Sequence, residues 1–156
     1  MQVMLHCAHR IPSVVSESFD QVRARVQASF DRQGLMRHLG AELVNIEPGT
    51  VTVRLAHRPE ITQQDGLVHA GATSSIADTA GGYAAMTVMD PGDNPLTVEY
   101  KINLMSPARA PVLEAVATVI RSGRTLTVCS VEVFGVDGDE RTVVAASQQT
   151  LYRATH

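Results

Sequence analysis

The chain has 156 residues, the size of one ordinary domain, and 44% of them are hydrophobic, which is enough for a core. The net charge is −3, so the basic excess of a nucleic-acid-binding protein is missing. The apolar runs are much shorter than the roughly 20 residues that span a membrane, and the start lacks the pattern of a signal peptide. We expect a cytoplasmic protein with no nucleic-acid or membrane partner.

The first 15 residues carry no periodic pattern, and they are predicted to be a flexible N-terminus before a single domain at 16–156. They include Cys7, which is far from the second cysteine, Cys129, so a disulfide framework is not expected. The His-Cys-Ala-His run at 6–9 could bind a metal. No second pair of ligands follows at a zinc-like spacing, and we predict no metal site.

The region before residue 70 predicts a helix and a hairpin. Apolar residues recur at near-helical spacing from Ser16, and Gly34 is predicted to break the helix before a short turn to Gly40. Two runs in which polar and apolar residues alternate flank the turn signal Pro48-Gly49. They predict two strands and a connecting loop, at 41–47, 50–57 and 58–68.

The rest of the chain predicts one long helix and four strands. Small residues form a helix at 70–89, which a Pro- and Gly-rich run ends. In the next strand, alternation places the apolar residues on one face: Leu96, Val98, Tyr100, Ile102 and Leu104. Three further strands, joined by short Gly-containing turns, predict an antiparallel meander. The order indicates an α+β fold, an antiparallel sheet with a helix packed on it.

A single acid, Asp78, lies in the middle of the predicted long helix, in a stretch without Lys or Arg. Aspartate is a poor residue for a helix interior, and Asp78 is too far from the helix start to cap it. It is either an exposed acid, or one paired with a distant Arg, or else a carboxylate in a cleft that acts as base or nucleophile. Composition alone does not choose between these interpretations.

The start of this helix offers a second chemical group. His69 precedes it, and the amides of Ala70, Gly71 and Ala72 have no acceptor within the helix and lie at the positive end of its dipole. Such amides can stabilise a developing oxyanion. A carboxylate and an amide donor could therefore flank one reaction centre.

These motifs, in this order, resemble the hotdog-fold acyl-CoA thioesterases, in particular their PaaI-like branch. The loop and helix signature reads GLVHAGATSSIADTAGGYAA, with LGAELVNIEPGTVTVRL before it and LTVEYKINLMSPA and ATVIRSGRTLTVCSVEVF after it. The resemblance covers about residues 34–152. It implies a curved antiparallel sheet wrapped around a long central helix, and hydrolysis of an acyl-CoA thioester without a metal or cofactor, CoA being part of the substrate.

The family's residues carry over one by one. Its helix acid falls on Asp78, and the amide that polarises the thioester carbonyl falls on Ala70. The amide or Asn side chain seven residues earlier falls on Gln63. His69 matches the loop His, which in this branch is more often structural than chemical. Because the usual Gly-Gly is Ala70-Gly71 here, the role of Ala70 requires an ordinary backbone conformation.

Substrate contacts beyond this centre are also implied. They are expected from the helix start, one strand and one turn: His69, Gly71, Lys101, Asn103, Arg121, Ser122, Gly123 and Arg124. The basic members could hold the CoA phosphates by charge-assisted hydrogen bonds, or they could be solvated strand and turn charges. The acyl group is not indicated, because aromatic residues are only 4% and nothing marks an aryl pocket.

Two other functions could use the same cleft. An enoyl-CoA hydratase or dehydratase would use His69 and Asp78 to move two protons, and a non-catalytic module would bind acyl-CoA without cleaving it. The resemblance also implies a homodimer, which can assemble further into a dimer of dimers. In such a dimer, Asp78 of one chain faces Gln63 and Ala70 of its partner.

Overall fold

The computed structural model describes residues 17–155. The predicted flexible segment and its His-Cys-Ala-His run lie outside this range. The elements, in chain order, are α1 (Phe19–Phe30), α2 (Gly34–Leu39), β1 (Ala41–Glu47), β2 (Thr50–Ala56), a 3-10 helix (Pro59–Ile61), α3 (Ala70–Met86), β3 (Asp93–Leu104), β4 (Val112–Ser122), β5 (Leu126–Asp137) and β6 (Glu140–Thr155).

The six strands form one curved antiparallel sheet in the order β1-β2-β4-β5-β6-β3. The hairpin of β1 and β2 and the meander of β4, β5 and β6 were both predicted and are confirmed. Strand β3 pairs with β6, at the edge opposite to β1, and this long-range pairing was not predicted. The α+β class is confirmed.

Helix α3 packs on the sheet and forms the centre of the core. Its small side chains allow the helix backbone to approach the strands closely, and Ile76, Ala80 and Ala84 are fully buried. Most of its surface is covered, as its nearly uniform apolar sequence predicts. The less buried side includes Asp78, which borders a cavity.

The helix boundaries differ from the predicted ones for local reasons. Helix α1 begins after Ser18, because the Ser18 hydroxyl and the Gln21 side chain form a reciprocal capping box. Gly34 begins α2 instead of only breaking a helix, and Gly40 ends α2 with φ +69°. Helix α3 ends three residues early, where the Thr87 hydroxyl donates to the Ala84 carbonyl.

The prediction that one face of β3 carries all of its apolar residues is wrong. A β-bulge interrupts its pairing with β6 between Thr97 and Glu99. As a result Thr97 and Tyr100, three residues apart, border the same cavity beside α3. Strand β3 is also an edge strand within residues 17–155, and most of its large apolar side chains are exposed: Leu96, Val98, Tyr100 and Leu104.

Candidate active site

Asp78 lies half-buried in the third turn of α3 and borders a cavity of about 590 Å³. The cavity lies between α3, the α1–α2 region and β3, and its lining includes Ser29, Gln33, Tyr83 and Tyr100. Asp78 forms no ion pair with a residue of the 17–155 range, which argues against pairing with a distant Arg. A carboxylate that borders a cavity fits the functional interpretation.

One oxygen of the Asp78 carboxylate is held by two donors. The Thr97 hydroxyl lies 2.8 Å from Oδ1, and Nε2 of Gln149 also lies 2.8 Å from Oδ1. The same Nε2 is 3.1 Å from the Asp78 carbonyl oxygen and 3.0 Å from the Thr97 hydroxyl oxygen. Oδ2 accepts no hydrogen bond from the described residues. The carboxylate is thus anchored through one oxygen and keeps the other available.

Thr97 and Gln149 were missed by sequence reasoning. They come from β3 and β6, which are neighbours only because of long-range pairing, with Tyr100 opposite Gln149. Thr97 was placed on the polar face of its strand because the bulge was not foreseen. A weak signal existed for Gln149. It is separated from the buried residues Ala145 and Leu151 by even numbers of positions, so it lies on the same, core-facing side of the strand.

At the start of α3, one amide remains without an acceptor. Nδ1 of His69 accepts from the Gly71 amide at 2.8 Å, and the His69 carbonyl accepts from the Ala72 amide at 2.9 Å. The Ala70 amide has no hydrogen-bond acceptor within residues 17–155, and Ala70 is exposed. Its φ is negative, as for every described residue other than glycine. Ala70 therefore meets the backbone requirement of an oxyanion donor.

Gln63 belongs to the loop that leads to this helix start. The loop is closed by backbone hydrogen bonds from Gln63 to Leu67, at 2.8 Å, and from His69 to Ile61, at 2.8 Å. The side-chain oxygen of Gln63 accepts from the Asp65 amide. Gln63 and Ala70 border a second cavity of about 370 Å³, which does not include Asp78. The structure therefore brings Gln63 and Ala70 together, but not to Asp78 of the same chain.

The other predicted substrate contacts are distributed around the sheet. Gly71 borders the Asp78 cavity, whereas His69 does not. Lys101 and Asn103 are exposed and point away from α3, because Tyr100 on the same strand points toward it. They are not close to Asp78 within one chain.

The predicted phosphate-binding turn follows β4. Its Ser122 hydroxyl is 3.2 Å from that of Thr127, and the Gly123 amide donates to the Leu126 carbonyl at 2.8 Å. Arg121 and Arg124 are exposed and form no ion pair with another described residue. Strand pairing aligns this turn with Thr97, two strand spacings or about 10 Å from Thr127.

Other chemical groups do not assemble a second centre in this part of the protein. Among residues 17–155, no group of three or more His, Cys, Asp or Glu side chains is arranged to hold a metal. Burial raises the pKa of the Cys129 thiol to about 12, so it stays protonated and is not a nucleophile at neutral pH. No helix in this range has the length and apolar character needed to cross a membrane.

Comparison with known families agrees with this geometry. The model of the Thioesterase superfamily matches residues 65–142, half of the chain, and this range includes the end of the loop, α3 and the three strands that follow it. The chain belongs to the thioesterase superfamily. As such it is an enzyme, a thioester hydrolase.

Individual relatives cover most of the domain. A Saccharolobus solfataricus protein named as an esterase is 30% identical over 119 residues, 76% of this chain and 84% of the relative. The 1,4-dihydroxy-2-naphthoyl-CoA hydrolase of Listeria monocytogenes is 25% identical over 100 residues, 64% of this chain and 81% of the relative. The crystal structure of a thioesterase family protein from Silicibacter pomeroyi matches with TM-score 0.83 and 34% identity, over 89% of this chain and 100% of that one. The predicted hotdog fold is confirmed.

Proposed function

We propose that this thioesterase hydrolyses acyl-CoA thioesters to a free acid and CoA, with Asp78 as general base or nucleophile. The observation that carries the proposal is the Asp78 carboxylate, which is anchored through Oδ1 and borders a cavity of about 590 Å³. A volume of this size is typical of small-molecule sites. The chemistry requires no metal or cofactor, because carboxylate and amide groups supply both functions and CoA enters as part of the substrate.

Two features support CoA as the leaving group. The Listeria relative is named as a hydrolase of a CoA thioester. In this chain, Arg121 and Arg124 leave their charges exposed at a turn aligned with Thr97, where they could bind phosphates by charge-assisted hydrogen bonds. Lys101 and Asn103 would contact CoA only if it crosses the outer face of β3.

The general-base route uses one carboxylate oxygen. A water oxygen adds to the thioester carbonyl carbon while its proton passes to Oδ2 of Asp78. The carbonyl oxygen becomes an oxyanion that the Ala70 amide stabilises, and Gln63 orients the carbonyl or the water. The carbonyl then reforms, the carbon–sulfur bond breaks, and the sulfur leaves with the proton as the CoA thiol.

The nucleophilic route uses the same oxygen differently. Oδ2 attacks the carbonyl carbon, the CoA thiolate leaves, and the resulting mixed anhydride is hydrolysed by water. A single turnover in heavy-oxygen water tests the nucleophilic route. Label that enters Asp78 shows attack by the carboxylate, because direct attack by water places label only in the released acid.

We also propose that the site is shared between two chains. In one chain, Asp78 borders one cavity, and Gln63 and Ala70 border another. A homodimer joined through the exposed edge of β3 would cover its apolar side chains and place Asp78 opposite the partner's Gln63 and Ala70. Pairing would also protect an edge strand that otherwise invites aggregation. Further assembly into a dimer of dimers, and a cytoplasmic location, remain predictions.

The acyl group would occupy the cavity beside Asp78. Its wall combines Leu35 and Met86 with a polar group of three side chains, in which Gln33 donates to the Tyr83 hydroxyl at 2.9 Å and that hydroxyl donates to Ser29 at 3.3 Å. Such a lining accepts apolar and polar acyl groups. A thiol-release screen over short, medium, long and aryl CoA esters would define the preference.

The test of the function is Asp78→Asn, which keeps the shape and removes the ionisable group. We expect a folded protein whose kcat for thiol release falls by about a hundredfold or more. Asp139→Asn, in an exposed turn, is the matched control and should keep full activity. A fully active Asp78→Asn enzyme would contradict the proposal. The hydratase alternative is disfavoured because Nδ1 of His69 accepts from the Gly71 amide and caps the helix.

A further inference from the structure

Gln149 is a large polar side chain placed in the core. It lies on β6, is 0% exposed, and points toward α3. Its amide nitrogen has two hydrogens and lies within hydrogen-bond distance of three acceptors: Asp78 Oδ1, the Asp78 carbonyl oxygen and the Thr97 hydroxyl. Gln149 thus contacts the proposed catalytic carboxylate directly, although it does not itself border the cavity.

The position of this amide requires two features that each lower stability. The side-chain oxygen of Gln149 is buried and has no hydrogen-bond donor among residues 17–155. A Cβ at Gly81 would overlap that oxygen, so a glycine is required inside α3, where glycine is unfavourable. A smaller apolar residue at 149 would require neither feature. Both are explained if contact with Asp78 is what the amide provides.

We propose that Gln149 is a positioning residue, which turns Oδ1 of Asp78 into the protein and leaves Oδ2 as the reacting oxygen. This inference rests on the proposed function. A charge-assisted hydrogen bond to Oδ1 fixes the orientation of the side chain. The reverse orientation of the amide would place its oxygen against the carboxylate, so the contact fixes Gln149 as well. Both routes then use Oδ2, either to accept the proton of water or to bond the carbonyl carbon.

A purely structural role would instead consist of the hydrogen bond to the Asp78 carbonyl, which ties α3 to the sheet. The variant Gln149→Met removes both contacts, because Met has a similar volume but no donor, and the comparison of kcat with stability separates the two roles. We expect kcat to fall about 10- to 100-fold, with KM within about threefold of wild type.

The matched control is Cys129→Ala. Cys129 is also fully buried, pairs with Gln149 in the sheet and has its sulfur 3.6 Å from the Gly81 carbonyl oxygen, but it makes no hydrogen bond to Asp78. Cys129→Ala should lower the melting temperature while kcat stays unchanged. A loss of activity that only follows lost stability would appear equally in both variants, and that result would overturn the proposal.

A folded Gln149→Met enzyme with kcat within threefold of wild type would also overturn the proposal. If Gln149→Met does not fold, Gln149→Asn keeps the amide but withdraws it by one methylene, and kcat should still fall about tenfold. Asp78→Asn in the same assay separates the two proposals. An inactive Asp78→Asn with fully active Gln149 variants overturns only the positioning role, whereas an active Asp78→Asn overturns the proposed function itself.

Discussion

The two halves of the proposed site are built in different ways. The carboxylate half combines Asp78, Thr97 and Gln149 from α3, β3 and β6, which are far apart in the sequence, and its contacts are mostly between side chains. The amide half is one continuous segment, in which short backbone hydrogen bonds close the loop before Ala70. One half depends on tertiary packing, and the other on local chain geometry.

The chemical roles explain the difference. A catalytic carboxylate is carried by a side chain that can rotate, so donors from other elements must fix it. A backbone amide is already fixed by the helix that it begins, and any residue except proline supplies it. The carboxylate half should therefore be sensitive to side-chain changes in its neighbours, whereas the amide half should, at Ala70, be sensitive only to changes of the backbone.

The largest difference in activity between a backbone change and a side-chain change is expected at Ala70. Ala70 is the first residue of α3, a position that favours proline, and His69 has φ −61° and ψ 139°, which a following proline accepts. Ala70→Pro should fold and lose activity about a hundredfold, because it deletes the amide hydrogen. Ala70→Gly keeps that hydrogen and should stay within about threefold of wild type.

Thiol-release kinetics, accompanied by melting curves, measure both Ala70 variants. A folded and active Ala70→Pro enzyme would show that the amide is not the oxyanion donor. A folded but inactive Ala70→Gly enzyme would show that the side chain at this position matters, which the amide half should not permit.

The sequence predicted the amide half well because its residues are consecutive. Gln63, His69 and Ala70 lie in one motif, and neighbouring residues are enough to predict a turn and a helix start. Asp78 was found because an acid is conspicuous among small apolar residues. Thr97 and Gln149 were missed because their positions depend on the pairing of β3 with β6 and on one bulge, neither of which has a local signature.

The second prediction tests whether the halves come from different chains. Co-expression of Asp78→Asn and Ala70→Pro chains in equal amounts should form mixed dimers as half of the population. With shared sites, each mixed dimer has one intact and one doubly altered site, so about a quarter of wild-type activity should return. If mixed dimers form and activity stays at the level of the separate variants, each site is built within one chain.

The third prediction concerns the surface that would join the chains. Val98 and Val44 both lie at bulges of edge strands, and their exposed fractions are 59% and 38%. Only β3 is expected to pair with a partner, since α1 and α2 pack against β1. Val98→Lys should weaken dimerisation at least about tenfold, as a charge on a pairing edge opposes it. Val44→Lys should not change the mass measured by sedimentation. Equal masses for both variants would exclude β3 as the interface.

The smallest effect distinguishes two adjacent glycines in α3. A Cβ at Gly82 would meet only the Leu151 side chain, at 3.9 Å, whereas a Cβ at Gly81 would overlap the Gln149 amide oxygen. Gly82→Ala should therefore raise the free energy of unfolding by about 0.5–1 kcal/mol, the usual gain from removing a helix glycine. Gly81→Ala should lower it by about 1–3 kcal/mol, because the buried amide must move.

Urea unfolding of the two glycine variants at one fixed protein concentration measures this difference, since the stability of a dimer depends on concentration. Stabilisation by both substitutions would mean that the Gln149 amide does not fill the space beside Gly81, and the rigid packing of the carboxylate half would then be wrong. Helix propensity alone cannot explain stability changes of opposite sign at these two positions, because both substitutions are Gly→Ala in the same helix. The sign of the stability change in Gly81→Ala therefore tests the contact between Gln149 of β6 and α3. The amide half has no such dependence on a distant strand.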